Sequence, residues 1–232
     1  MSTNGATPTG DSVPSWVGRP IPRKEDDRLV RGAGRYVDDI DPARLVHAAF
    51  VRSVVANGRI VSVDASRARA LPGVHLVLTS TDIGALNAPL PLLAGHPSLR
   101  APKTQRPLAS DRVHYVGETI AMVVADSRYI AEDAAALVEV EYDELTPVID
   151  LGDAATIAAR VHDDVPDNVA GVVTDGVGDP DRVFADAPFT EKLHLFLERT
   201  GGMPMETRGV LADWDAREGV LRVWDSTQAP VA

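Results

Sequence analysis

Apolar and polar positions along the chain repeat one plan twice. Leu45–Arg52 (LVHAAFVR) reads as a strand. In Gly58–Asp64 (GRIVSVD), Ile60 and Ser62 alternate with Val61 and Val63, the pattern of a second strand. Ala65–Leu71 reads as a short helix, stopped by the breaker pair Pro72-Gly73. Val74–Thr79 (VHLVLT) is a third strand. A long loop, Ser80–Ser110, follows and carries five prolines. A loop of that length is often functional or laid along another surface. Then the order recurs. Arg112–Val116 is a strand turned by Gly117. Thr119–Ala125 (TIAMVVA) is apolar throughout, as a buried strand is. Asp126 or Ser127 caps a helix with Ile130, Ala134, Leu137 and Val138 on one face. Val138, Val140 and Tyr142 alternate with Glu139, Glu141 and Asp143, a half-exposed strand. The pattern predicts a duplicated β-β-α-β plan and an α+β (mixed α/β) domain.

The pattern then changes. Leu151–Pro188 is acidic, Gly-rich and poor in large apolar residues, a connector laid over the surface. Asp179-Pro180 opens a short helix running to Ala187, with Pro at its first position. Phe189–Glu198 (FTEKLHLFLE) sets Leu193, Leu195 and Leu197 on one face and reads as a strand. Gly201–Met205 turns the chain. Val210–Asp215 and Val220–Gln228 flank the four-residue turn AREG, a hairpin signal. Its tryptophans, Trp214 and Trp224, need something to pack on.

Residues 1–15 are small, polar and rich in Pro and Gly, which predicts a disordered tail. Trp16–Arg23 (WVGRPIPR) reads as an extended arm, because its prolines forbid a helix. The domain plan is therefore a tail over 1–15, a first domain over 16–150, a connector over 151–188 and the start of another domain over 189–232.

Composition narrows the function. Aromatics are 5% of 232 residues, so the core is built of Val, Leu, Ile and Ala. With 34 acidic against 23 basic residues the net charge is −11, which disfavours nucleic acid and anionic membrane surfaces as partners. No apolar run approaches a membrane span or a signal core, so a cytoplasmic protein is expected. The chain has no cysteine, which excludes disulfides, thiolate metal sites and Cys-ligated iron–sulfur clusters within it.

The candidate motifs are weak. Gly32–Gly34 and Gly176–Gly178 lack the third Gly of a dinucleotide loop and read as turns. The acidic run Asp163, Asp164, Asp167, Asp175, Asp179 and Asp181 lacks calcium-loop spacing and reads as a solvated loop. The six histidines form no helical pair. His47, His75, His114 and His194 lie in strand-like runs and read as hydrogen-bonded sheet residues. Glu139 and Glu141 share a solvated strand face, not an acid/base site. Glu206 and Arg208, in METRG, read as a local ion pair or turn. Gln228, at a strand exit, is on its chemistry a surface amide able to donate and accept. No residue is singled out as catalytic or as a metal ligand.

The phrases VGRPIPRKEDDRLVRGAGRYVDDI, RIVSVDASRARALPGVHLVLTSTDI, DRVHYVGETIAMVVADSRYIAEDAAALVEVEYDELTPVID, PMETRGVLADWD and VWDSTQAP carry a resemblance. In that order, from Trp16 to Pro230, the chain resembles the molybdopterin-binding large subunit of the xanthine dehydrogenase/aldehyde oxidase family. The flavour is that of the aerobic carbon monoxide dehydrogenase large chain.

The resemblance implies an α/β hammerhead domain, followed from about Leu151 by the opening of a molybdenum-cofactor-binding domain. It implies molybdenum–molybdopterin, in its cytosine dinucleotide form, as cofactor. It implies oxidoreductase activity as part of a complex with an iron–sulfur small subunit and an FAD medium subunit. The family's glutamine beside the molybdenum, whose amide hydrogen-bonds the metal's oxo ligand, matches Gln228. Other family features do not follow: the Gly-rich loop with Phe, the substrate pocket and the segment with the catalytic glutamate. The expectation is a chain inactive alone, truncated or completed by the remainder of a split subunit. The alternative is a non-catalytic docking module for the iron–sulfur and FAD subunits. Two smaller departures stand out. Val54-Val55-Ala56-Asn57 replaces a Ser-Pro-x-Ala-His phrase, and Thr119 stands where Pro is usual.

Overall fold

A computed structural model describes residue 16 and residues 18–92, 94–198 and 200–228. The tail expected over 1–15 lies outside them, as does Pro230. The elements in order are α1 (Asp26–Val30), β1 (His47–Arg52), β2 (Gly58–Asp64), α2 (Ser66–Arg69), β3 (Val74–Thr79), α3 (Ser80–Ile83), β4 (Arg112–Val113), β5 (Thr119–Ala125), α4 (Arg128–Ala136), β6 (Glu139–Glu144), α5 (Pro180–Asp186), β7 (Val210–Asp215) and β8 (Val220–Asp225). The chain divides into two compact units. One is Pro42–Arg199, and the other joins Met1–Asp41 with Thr200–Val231.

In the larger unit the duplicated plan takes an interleaved form. The strands make two antiparallel three-stranded sheets, ordered β1-β5-β3 and β4-β2-β6. The first round supplies β1, β2 and β3, and the second supplies β4, β5 and β6. Each round's middle strand is therefore the centre of the other round's sheet. The two central strands differ in burial. β5 is buried or half-buried along its length, which accounts for its unbroken apolar run, whereas β2 alternates with solvent.

Small residues let α4 approach the sheet. Ser127 accepts the Ile130 N–H at 3.3 Å as N-cap, and Ala131 and Ala134 are fully buried. Ala134 joins Ala65, Ala68, Val77, Val123 and Val138 in the main core, while Ala109, Val113 and Ile120 form a second cluster. The core is aliphatic, as the scarcity of aromatics requires.

Three expectations need correction. Ser80–Ser110 is not all loop. It opens with α3, whose capping box pairs Thr79 with Asp82. Asn87 then anchors the stretch, donating to Leu108 O at 2.9 Å and accepting its N–H at 3.0 Å. The strand expected over Arg112–Val116 is only two residues long, because Glu118 takes the His114 N–H and bends the chain. Phe189–Glu198 pairs with no described strand. Its alternating leucines are exposed, Leu197 by 90%, and a strand without a ladder partner is only extended chain. His194 lies there too, outside any sheet.

The acidic run is solvated, as expected, and is also ion-paired: Asp163, Asp164 and Asp167 stay partly or largely exposed beside cations of the same unit. Arg112 holds Asp163 and the Arg160 carbonyl, Lys103 holds Asp164, and Arg100 lies 3.7 Å from Asp167. The Arg112 hydrogen bond keeps the Asp163 carboxyl below its usual range, and the Lys103 hydrogen bond does the same for Asp164. His162 stacks on His114, ring centroids 4.5 Å apart, and Val165 is buried. These contacts fasten the connector to the rest of the larger unit.

Candidate functional site

Gln228 is placed by the hairpin that precedes it. The Asp215 side chain accepts the N–H groups of Arg217 and Glu218 at 3.0 and 3.2 Å, and Gly219 takes the positive φ that closes the turn. Those backbone donors, with Arg222 behind them, hold the Asp215 carboxyl below its ordinary range. The register runs from Asp215↔Val220 to Val210↔Asp225. Residues directly opposite share a face, so the two tryptophans part company. Trp214 pairs with Leu221 and shares a face with Val210, Ala212 and Val223. Trp224 pairs with Leu211 on the other face. Leu211 is buried, whereas Trp214 is 62% exposed.

Beyond the ladder, Ser226 continues the pairing. Its Oγ accepts the Gly209 N–H at 2.8 Å and donates to the Thr207 carbonyl at 2.7 Å, and its N–H donates to Gly209 O at 3.0 Å. Glu206 does not make the local contact expected of it. Its Oε1 accepts the Val37 N–H at 2.9 Å, 169 positions earlier in the chain. Val37 opens a single 3₁₀ turn over Val37–Asp39. Neither bond has a local sequence signature, and the sequence reading missed both. Two residues past Ser226, Gln228 is exposed, its amide open to a ligand.

Among the described residues no group of three or more His, Asp or Glu side chains can hold a metal ion. A metal that brings its own ligands on a cofactor needs only hydrogen-bond donors from the chain, and Gln228 is of that type. No helix among the described residues is long and apolar enough to cross a membrane. In the larger unit, an open groove of about 540 Å³ follows β3, lined by Arg69, His75, Leu76 and Asp82. His75 is engaged there by Asp126 at 2.6 Å. The groove holds no activated nucleophile.

The family model for the aldehyde oxidase and xanthine dehydrogenase a/b hammerhead domain matches residues 31–146. The chain belongs to the aldehyde oxidase and xanthine dehydrogenase family. A second model, for the molybdopterin cofactor-binding domain, matches residues 161–232, a stretch that includes the hairpin and Gln228.

Relatives within this family agree. The nicotine 6-hydroxylase large subunit of Paenarthrobacter nicotinovorans is 40% identical over 92% of this chain and 26% of its own. The carbon monoxide dehydrogenase large chain of Hydrogenophaga pseudoflava is 39% identical over 89% and 27%. The crystal structure of quinoline 2-oxidoreductase from Pseudomonas putida 86 superposes with a TM-score of 0.80 at 37% identity, over 90% of this chain and 26% of that one. The chain spans about a quarter of the length of the curated relatives it matches. The interleaved sheets and the hairpin are therefore hammerhead and cofactor-domain elements of this family.

Proposed function

We propose that this chain contributes the hammerhead domain, over about residues 16–150, and the opening of the molybdopterin-binding domain to a molybdenum hydroxylase large subunit. The observation that carries the proposal is the cofactor-domain match over 161–232, reached through a hammerhead match on the same chain. When bound, the molybdenum–pterin group, in its cytosine dinucleotide form, supplies oxidation of a carbon centre with oxygen drawn from water, or oxidation of carbon monoxide. The role of this chain is narrower. The β7–β8 hairpin carries Gln228 to the cofactor, where its Nε2–H₂ donates to an acceptor on that group.

Electrons leave through an iron–sulfur subunit and an FAD subunit. The absence of cysteine is compatible with this division, because Cys-ligated clusters then lie outside these residues. The complex is cytoplasmic. The rest of the cofactor pocket comes from residues beyond those of this chain, so the isolated chain turns nothing over.

The test has two arms. Purified chain, given molybdenum cofactor and an aldehyde, a purine or carbon monoxide, should not reduce a dye; robust reduction sinks the reading. Affinity capture from the native host should recover the missing part of the large subunit with molybdenum and pterin. Recovery of only electron-transfer subunits, with no molybdenum, would instead make this a docking module.

A further inference from the structure

We propose that Ser226 and Glu206 are positioning residues for Gln228, together fixing the direction in which the chain leaves the hairpin. The proposal rests on the reading of Gln228 as a cofactor neighbour. An amide donates usefully only within about 2.7–3.2 Å of its acceptor, so a glutamine on an exposed strand exit must be aimed by its backbone.

Both sides of the exit are held. The Ser226 hydroxyl is used twice, accepting from Gly209 N–H and donating to Thr207 O. It ties strand β8 to the residues leading into strand β7, one step past the last ladder pair, Val210↔Asp225. Those residues are themselves held from their other side. Half-buried Glu206 accepts the Val37 N–H, and Tyr36 N–H donates to Asp39 at 2.8 Å, so the turn Glu206 grips is closed. Gly209 lies between the two grips. A Cβ there would sit 3.5 Å from Val37 Cβ and 3.9 Å from Ser226 Oγ. The path Val37, Glu206, Gly209, Ser226 is continuous and stops two residues short of Gln228. Further down, these side-chain contacts stay within the hairpin: Asp213, Asp215 and Glu218 satisfy Arg222, and Asp215 also accepts the Arg217 and Glu218 N–H groups.

The chemistry at each position separates two kinds of substitution. Glu206→Gln keeps an acceptor oxygen and Ser226→Thr keeps the hydroxyl, so both retain the clamp. Glu206→Ala and Ser226→Ala remove it. Two readouts are taken on tagged full chain isolated, with whatever it assembles with, from cells that make molybdenum cofactor. The first is amide hydrogen exchange at Val37 and Gly209. The second is molybdenum and pterin retained per chain. The expected result is roughly five- to tenfold faster exchange at the freed amide in the two alanine variants, as loss of one net hydrogen bond gives. Their retained cofactor should fall several-fold, to the level of Gln228→Ala. Glu206→Gln and Ser226→Thr should restore both readouts, with the melting transition of the larger unit unmoved.

Unchanged exchange overturns the clamp. Faster exchange with wild-type retention, where Gln228→Ala loses cofactor, shows a purely structural clamp and overturns the positioning role. Wild-type retention in Gln228→Ala, or no cofactor on the wild-type chain, removes the reading of Gln228 and the proposal with it. The exchange arm tells that failure apart from failure of the clamp.

Discussion

Asn57 Oδ1 accepts the Arg112 Nε–H at 3.0 Å, and both side chains are only 6% exposed. Asn57 occupies the last place of the phrase that replaces Ser-Pro-x-Ala-His, and it is a junction. Its Nδ2 donates to Thr146 O at 2.8 Å and its carbonyl accepts the Leu145 N–H at 2.9 Å, holding the chain as it leaves β6. Arg112 reaches onward to Arg160 and Asp163 of the connector. Asn57→Ala leaves a buried guanidinium N–H and the Thr146 carbonyl without partners. The expected cost is about 1–3 kcal/mol, read as a lower denaturation midpoint at constant m-value. A change under about 0.5 kcal/mol would show that water replaces the side chain.

The connector should loosen in two steps as pH falls. His162 has its pKa held below 6.5, first by burial and then by the charge of His114, with Lys103 and Arg112 adding to the effect and Asp164 opposing it. A base held neutral in the fold is stabilising above its unfolded pKa. That contribution is lost as pH drops from 6.5 through the folded value, because the unfolded chain then binds more protons. Asp163 and Asp164 have pKa values below 3.8. Their contribution is present above 3.8 and is lost as pH falls through the folded values. Amide protection factors over residues 160–170, taken against the intrinsic exchange rate at each pH, should therefore fall first below pH 6.5 and again below 3.8. His162→Phe should abolish the first step and keep the second. A single step in both proteins would refute the assignment.

The hairpin should be unequal on its two faces. Leu211, 9% exposed, is the packed residue, and Leu211→Ala is expected to cost about 2–3 kcal/mol. Trp214 lies on the open apolar face with Val210, Leu221 and Val223. Trp214→Lys should change stability by less than about 0.5 kcal/mol while lowering the binding of a hydrophobic dye. The reverse ranking, measured by urea melts of the two variants, would mean that the face is covered in solution.

Local signals in the sequence were enough for strands that follow a breaker. β2, β3 and β5 begin at or just past Gly58, Pro72-Gly73 and Gly117. Ser127 marks the start of α4. α1 and α3, five and four residues long, were missed because they show no helical period and, unlike α2, are not followed by a Pro-Gly stop. Phe189–Glu198 misled for a different reason. Alternating leucines report a face meant for burial, but not whether a partner strand is present. The grip of Glu206 on Val37 spans 169 positions, and no local pattern encodes it. The role proposed for Gln228 has no signature outside the family resemblance.

Interleaving has a consequence for folding. Neither round of the β-β-α-β plan contains a complete sheet. The first round supplies β1 and β3 but lacks β5 between them, and the second supplies β4 and β6 but lacks β2. The core follows the same division: Val77 and Ala68 of the first round pack with Val123 and Ala134 of the second. A peptide over residues 42–107 should therefore be unfolded by itself, as should one over 108–149, because each leaves two edge strands without their centre. Mixed at equal concentration, they should recover β-sheet circular dichroism in a bimolecular reaction whose rate scales with concentration. Because every ladder of these two sheets joins distant segments, the larger unit should also refold slowly for its size. A cooperative melt in either isolated half would contradict the exchange of central strands.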